Sequence, residues 1–334
     1  MHIATILVAL LATSTLGSGS SEAASPGGNG RIVYVTTVSK GSALVSRTPS
    51  GGGRTVLRRT SDEGCVGNPA WRPDGGSLAV DCALDERASG LATMRGDGSG
   101  FLRLPLVSQA EGPGVYYASD SQPAWSPDGQ RLAFVSENRY DDGLLSYWSR
   151  RLAVMNADGS QPRRVIGARI DDPERTNPEW SSRGLIAFTR WPGWAPCKGR
   201  TCGRRFRAAP EIWIIRPDGS GLRRVVARAQ QPAWSPDGRR IAFVRSPSGL
   251  QLPETRIYVT GLDGESVRPV ARGYYPAWSP NGRRIAFVHW CPGRDHWPCP
   301  SAIYTVRLDG SDRRLVARSS RRGSLGPLDW QPLG

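Results

Sequence analysis

The side chains in this chain that could do chemistry are few, and most of them cluster. Two acid pairs stand at Asp141-Asp142 and Asp171-Asp172, the second followed closely by Glu174. Carboxylates so close together can share a calcium ion through several oxygens, or divide into an acid and a base. After His2, the histidines are His289 and His296, in one short stretch with Cys291 and Cys299. The order His-x-Cys-x4-His-x2-Cys matches no established zinc spacing, so any metal here is left unassigned. No Gly-x-Ser-x-Gly elbow is present, and no serine stands out as a triad partner for either histidine. Gly96, Gly98 and Gly100 fall in an expected hairpin with no helix after it, so they do not form a dinucleotide loop. The expectation is a protein without catalytic residues and without a cofactor, calcium being the ion the acid pairs would suit.

Aromatic residues are more plentiful. Of 12 Trp, six recur in one phrase: Trp71, Trp125, Trp180, Trp234, Trp278 and Trp330, at intervals of 44 to 55 residues. Fixed-period self-similarity takes precedence over other signals. The phrase reads Pro69-Ala70-Trp71-Arg72-Pro73-Asp74-Gly75 in its first copy and Pro123 to Gly129 in its second. It returns as Pro178-Glu179-Trp180, as Pro232 to Gly238, as Pro276 to Gly282 and as Leu328-Asp329-Trp330. A second phrase follows each of the first five copies: Asp97-Gly98, Asp158-Gly159, Asp218-Gly219, Asp263-Gly264 and Asp309-Gly310.

Each repeat parses into four strands, A to D. Strand A carries the Trp and Ser-Pro-Asp-Gly is a turn. Strand B is an apolar run such as Ile241 to Val244, strand C alternates as in Ile212 to Ile215, and Asp-Gly closes a hairpin onto strand D, Leu222 to Val226. Six such units predict an all-β, six-bladed β-propeller over residues 31–334. The sixth unit ends after strand A. Arg31 to Val35, Ala43 to Arg47 and Thr55 to Arg59 are expected to supply its strands B, C and D, closing the ring and removing two exposed strand edges.

The repeat Ala-Trp-Ser-Pro-Asp-Gly-x-x-Ile-Ala-Phe-Val resembles that of the TolB-type six-bladed propeller of bacterial envelopes, and is similar to that in the propellers of prolyl-oligopeptidase-like enzymes. The resemblance covers residues 31–334 and implies the fold; a shared fold does not by itself give the function. TolB carries an α/β domain before its propeller; with about 30 residues before Arg31, that domain is not expected here.

Strand parity places A–B and C–D turns on one face, short and uniform. B–C and D–A loops lie on the other, long and variable, where binding usually resides. The long loops hold Trp148, Trp191, Trp194, Trp290 and Trp297. Exposed aromatics there would suit a peptide, a protein or a sugar ring, with Arg294 and Asp295 adding orientation; a plainer reading is that each loop folds on its own small core. The alternative, a propeller hydrolase, lactonase or lyase, would use Asp141, Asp142, Asp171, Asp172 and His296 at the channel mouth. The six cysteines fall into three local pairs, Cys65–Cys82, Cys197–Cys202 and Cys291–Cys299, read as disulfides.

Residues 1–24 have an apolar core, Ile3 to Leu11, and end in Ser21-Glu22-Ala23-Ala24, the outline of a secretory signal; residues 25–30 read as a short linker. The mature chain is expected outside the cytoplasm, secreted, periplasmic or wall-associated, where disulfides persist, with no transmembrane span. Its partner is expected to be a protein or a cell-envelope glycan. The formal charge is +15, and all basic residues except Lys40 and Lys198 are arginine. Arginine doublets such as Arg163-Arg164 and Arg223-Arg224 recur near the short-turn face, where an anionic polymer could bind. No aromatics are interleaved with them, so sequence-specific nucleic-acid binding is not expected.

Overall fold

The computed structural model describes residues 28–62, 64–84, 88–107, 115–141, 146–166, 174–191, 209–246, 255–290, 300–320 and 323–333. Every regular element among them is a β-strand. The strands pair into four four-stranded sheets and one eight-stranded sheet. The large sheet is two four-stranded blades joined by a short parallel pairing of Ala88–Arg95 with Val115–Trp125, through Ala88↔Ala118 and Ser89↔Ser119. The six blades are numbered from Cys65.

The split blade forms as the repeat arithmetic requires. Leu325–Leu333 pairs antiparallel with Gly28–Val38, placing Trp330 opposite Ile32 and Leu328 opposite Tyr34. Gly41–Arg47 and Thr55–Arg59 complete the sheet. The first of these strands starts at Gly28, three residues before the expected Arg31. The Arg31 backbone N–H donates to Gln331 Oε1 at 2.9 Å, and Gln331 Nε2 donates onward to the Gly75 carbonyl at 2.8 Å.

Six buried clusters hold the ring together, each filled from two neighbouring blades. The Ile-Ala-Phe-Val runs supply much of them: Phe134, Phe188, Phe243 and Phe287 occupy the same place in four blades and are fully buried. Burying such a ring stabilises by about 1.5–3 kcal/mol. The alanine before each Phe lets the adjacent sheet approach. The Ser-Pro-Asp-Gly turn is built as its chemistry dictates. In the second blade Gly129 takes φ 65°, Gly129 N donates to the Ser126 carbonyl at 2.8 Å, and Asp128 Oδ1 accepts from Gln130 N at 3.0 Å.

Cys65 and Cys82 face each other across the first hairpin and are disulfide-bonded in a buried setting. The bridge spans 17 residues. Replacing both by Ala is expected to cost roughly 2–3 kcal/mol, read as a lower melting temperature; an unchanged transition would show that strand pairing alone holds this hairpin. Cys197, Cys202, Cys291 and Cys299 lie outside the described residues.

Candidate functional site

Strand A is innermost in every blade, so the repeat phrase faces the axis. The six tryptophans and their flanking residues enclose an axial cavity of about 270 Å³. At roughly 30 Å³ per water it has room for about nine waters or one large side chain. Its lip is formed by the turn residues Pro73, Pro127, Ser182, Pro236 and Pro280 and by Pro332 near the end of the strand Leu325–Leu333. It therefore opens on the short-turn face, opposite the long loops.

The tryptophans do structural work there. Trp125 Nε1 donates to the Ala70 carbonyl at 3.2 Å, Trp234 Nε1 to that of Glu179 at 3.0 Å and Trp278 Nε1 to that of Ala233 at 3.0 Å. Each bond reaches back to the preceding blade. The indole N–H groups of Trp71, Trp180 and Trp330 are buried without a hydrogen-bond partner among the described residues. Arginines cover several of the rings: Arg72 Cζ lies 5.7 Å from the Trp125 centroid, Arg131 5.2 Å from Trp180 and Arg240 5.0 Å from Trp278.

In two blades the phrase carries an acid where the others with a Pro-x-Trp have Ala. These acids are Glu179 and Asp329, three blades apart around the ring and both in the cavity wall. Enclosure pushes the Asp329 carboxyl up to about 6, against the opposing pull of two backbone donors, Trp71 N and Trp330 N, each at 2.7 Å. Enclosure, and secondarily the nearby Asp329 charge, pushes Glu179 up to about 8. Both carboxyls are thereby biased toward their protonated forms, Glu179 more strongly than Asp329. Both residues keep part of their surface open to the cavity, so water moderates the cost of ionising them.

A polar belt lies further along strand A, three residues before each Trp. Asn68, Gln122, Asn177, Gln231 and Tyr275 all adopt positive φ, between 33° and 56°, at a bulge in the strand pairing. Such a conformation costs a non-glycine residue about 1–3 kcal/mol. It turns the backbone N–H toward the neighbouring blade. Gln122 N donates to Asp81 Oδ1 at 2.8 Å, Asn177 N to Gln122 Oε1 at 2.6 Å and Tyr275 N to Gln231 Oε1 at 3.0 Å. Asp81 stands where other blades have Val or Thr, and enclosure pushes its carboxyl up to about 7 despite the bonds it accepts from Asn68 and Gln122. The sixth blade has Pro327 at this position, whose ring forbids positive φ.

Of the residues expected at the long-loop face, Trp191 is described. It ends the strand Ile186–Trp191, and its Nε1 donates to Thr176 Oγ1 at 3.3 Å. That bond holds it against the innermost strand of its own blade. For Trp148, Trp290 and Asp141 the backbone alone is described, at strand ends. Trp194, Trp297, Arg294, Asp295, Asp142, Asp171, Asp172 and His296 lie outside the described residues. His289 is half-buried, edge-on to Tyr304 with ring centroids 6.1 Å apart, and burial lowers its pKa, aided by Arg313 and Arg272. Among the described residues no three His, Cys, Asp or Glu converge as a metal site, and no helix is long and apolar enough to cross a membrane.

No protein-family profile matches the chain. A TolB homologue from Chlorobium luteolum is 31% identical over 132 residues, covering 38% of this chain and 24% of that protein, so the chain matches about a quarter of its relative's length. The crystal structure of TolB from Acinetobacter baumannii superposes over 91% of this chain and 67% of its own, with TM-score 0.65 and 18% identity. A puromycin-hydrolysing peptidase from Mycobacterium tuberculosis aligns over 89% of this chain and 55% of its own, with TM-score 0.52 and 16% identity. The chain is thus a TolB-like β-propeller, a fold that serves both TolB proteins and hydrolases.

Proposed function

We propose that this chain is an exported, non-catalytic binding scaffold of the bacterial envelope that takes a protein partner, an envelope glycan being the second ligand class. The observation carrying this reading is how the axial side chains are employed. Three of the six indoles are spent on bonds between blades, and Asp329 gives one oxygen to Trp71 N and the other to Trp330 N. Glu179 is the one cavity carboxyl whose oxygens have no hydrogen-bond partner among the described residues. What remains open is a wall of proline and tryptophan, which suits packing against a ligand. A hydrolase or lyase reading would draw on the different protonation of Glu179 and Asp329. Asp329 is instead employed structurally, its two oxygens joining Trp71 N of the first blade and Trp330 N of its own.

Both ends of the ring are candidates for the contact, and the long-loop end concentrates the spare tryptophans. Two of its loops hold expected local disulfides, and a stapled loop loses less entropy on docking. The test is quantitative capture of cross-linked partners from envelope extract by the full chain and by a Trp194→Ala, Trp297→Ala double variant. Affinity for the captured partner is expected to fall about 30-fold, the scale of roughly 2 kcal/mol of hot-spot energy, with the melting temperature unchanged. Early melting would make these residues loop core. Unchanged affinity would move the contact to the axial cavity, where Glu179→Ala would then reduce it. Turnover of a peptide or glycan substrate, lost in Glu179→Gln, would replace the scaffold reading with an enzymatic one.

A further inference from the structure

A second cleft lies on the short-turn face between the second and third blades. Its volume is about 210 Å³, and its lining includes four arginines, Arg131, Arg163, Arg183 and Arg216, against one carboxylate, Asp218. Arg163 and Arg131 come from the second blade and Arg183 and Arg216 from two turns of the third.

The arginine most responsible is a departure from the repeat. The third residue of the A–B turn is Asp74, Asp128, Asp237 or Asn281 in four other blades. There its side-chain oxygen accepts the backbone N–H two residues on, at 2.8 to 3.1 Å. The third blade reads Ser181-Ser182-Arg183-Gly184 and is one residue shorter. Ser181 Oγ accepts from Leu185 N at 3.0 Å, as Ser126, Ser235 and Ser279 do from the matching residues, and also from Arg183 N at 3.3 Å. The Arg183 side chain is therefore not needed to build the turn. Its Nε donates to the Asp237 carbonyl of the fourth blade at 3.1 Å, and the residue also lines the cleft.

Positive charge there exceeds the negative charge near it, Arg216 being balanced in part by Asp218 and Arg131 by Asp128. Arg224 pairs with Glu211 at 2.8 Å, and Arg284 and Arg314 pair with Asp312 at 2.7 and 2.8 Å. Among the described residues, Arg163, Arg183 and Arg216 have no carboxylate within 4 Å, and Arg131 reaches Asp128 only at 4.0 Å. The Asp218 oxygen Oδ1 is taken by Ser220 N at 2.9 Å. Arg131 is further held by the Trp180 ring.

We propose that this cleft binds a phosphoryl group, as inorganic phosphate or as the phosphate of a small sugar ester. Forked guanidinium donors from two sides match the oxygens of a tetrahedral dianion, and the cleft has space for the group and part of what carries it. The site is distinct from the axial cavity, though it lies on the same face, and from the long loops.

The test is calorimetric titration of the full chain at low salt and pH 7.5 with inorganic phosphate and, separately, with a hexose phosphate. Saturable binding at one site is expected. Arg183→Asp restores the residue type of the neighbouring turns and should weaken binding at least 30-fold. Arg163→Ala should weaken it about tenfold, and it decides the matter if Arg183→Asp melts early. Arg224→Ala removes a charge from an ion pair on the outer strand of the same blade and should change affinity less than twofold. Tighter binding of the hexose phosphate would identify an ester as the ligand; equal binding would identify the free ion. The proposal is overturned if neither compound saturates, or if Arg224→Ala weakens binding as much as the cleft variants do.

Discussion

Removal of residues 328–334 is expected to abolish the cooperative unfolding transition of the whole ring. The segment supplies most of the innermost strand of the split blade, and with it every pairing partner of Gly28–Tyr34 on that side. It also carries Trp330, 3% exposed in the cluster shared by the fifth and sixth blades, and Asp329, which accepts the Trp71 N–H of the first blade. Its loss therefore opens the junctions on both sides of the blade and leaves the inner edge of Gly28–Val38 unpaired. The single substitution Trp330→Ala isolates the packing part and is expected to cost about 3–5 kcal/mol. At about 2–4 °C per kcal/mol for a large domain, the melting temperature should fall by about 10 °C. Differential scanning calorimetry of the two variants checks this. A truncated chain that melts like the full-length protein would refute the idea that the split blade closes the ring energetically.

The second large effect is a pH dependence of unusual sign. Glu179, Asp81 and Asp329 are raised to about 8, 7 and 6 in the folded chain, against ordinary carboxyl values near 4. Each holds its proton more tightly folded than unfolded. Stability from these groups is therefore present at pH 4, is lost progressively as the pH rises to about 8, and levels off above that. Glu179→Gln removes the largest contribution. One pKa unit corresponds to about 1.4 kcal/mol, and water in the cavity reduces the cost of ionisation, so about 2 kcal/mol is a reasonable expectation. The variant should melt about 5 °C above the parent at pH 9 and close to it at pH 4. Parallel melting-temperature curves across this range would contradict the enclosed state of Glu179.

The blade arithmetic was legible because it rests on residues that repeat. Pro-Ala-Trp, Ser-Pro-Asp-Gly and Ile-Ala-Phe-Val have fixed spacing, so both the split blade and the facing of Cys65 by Cys82 follow from counting. The axial site was less legible. Glu179 and Asp329 look like drift within the phrase until strand A is known to line a cavity, and Arg183 looks like a degraded turn. The belt at Asn68, Gln122, Asn177, Gln231 and Tyr275 is hidden for another reason. What these residues share is a backbone angle, and no common side-chain chemistry marks it. Trp194, Trp297 and the acids at Asp142, Asp171 and Asp172 belong to loops without the repeat, where no register relates one residue to the next.

The antiparallel joint between Gly28–Val38 and Leu325–Leu333 has a mechanical consequence. Gly28 faces Leu333, so the two ends of the described ring lie side by side on one edge of one sheet. A load drawing those ends apart would act across the ladder and break its bonds one pair after another, as a zipper opens. It would not shear them all at once. A ring that resists heat through its shared inter-blade cores should therefore yield to modest force applied through its ends, opening first at the joint that closes it.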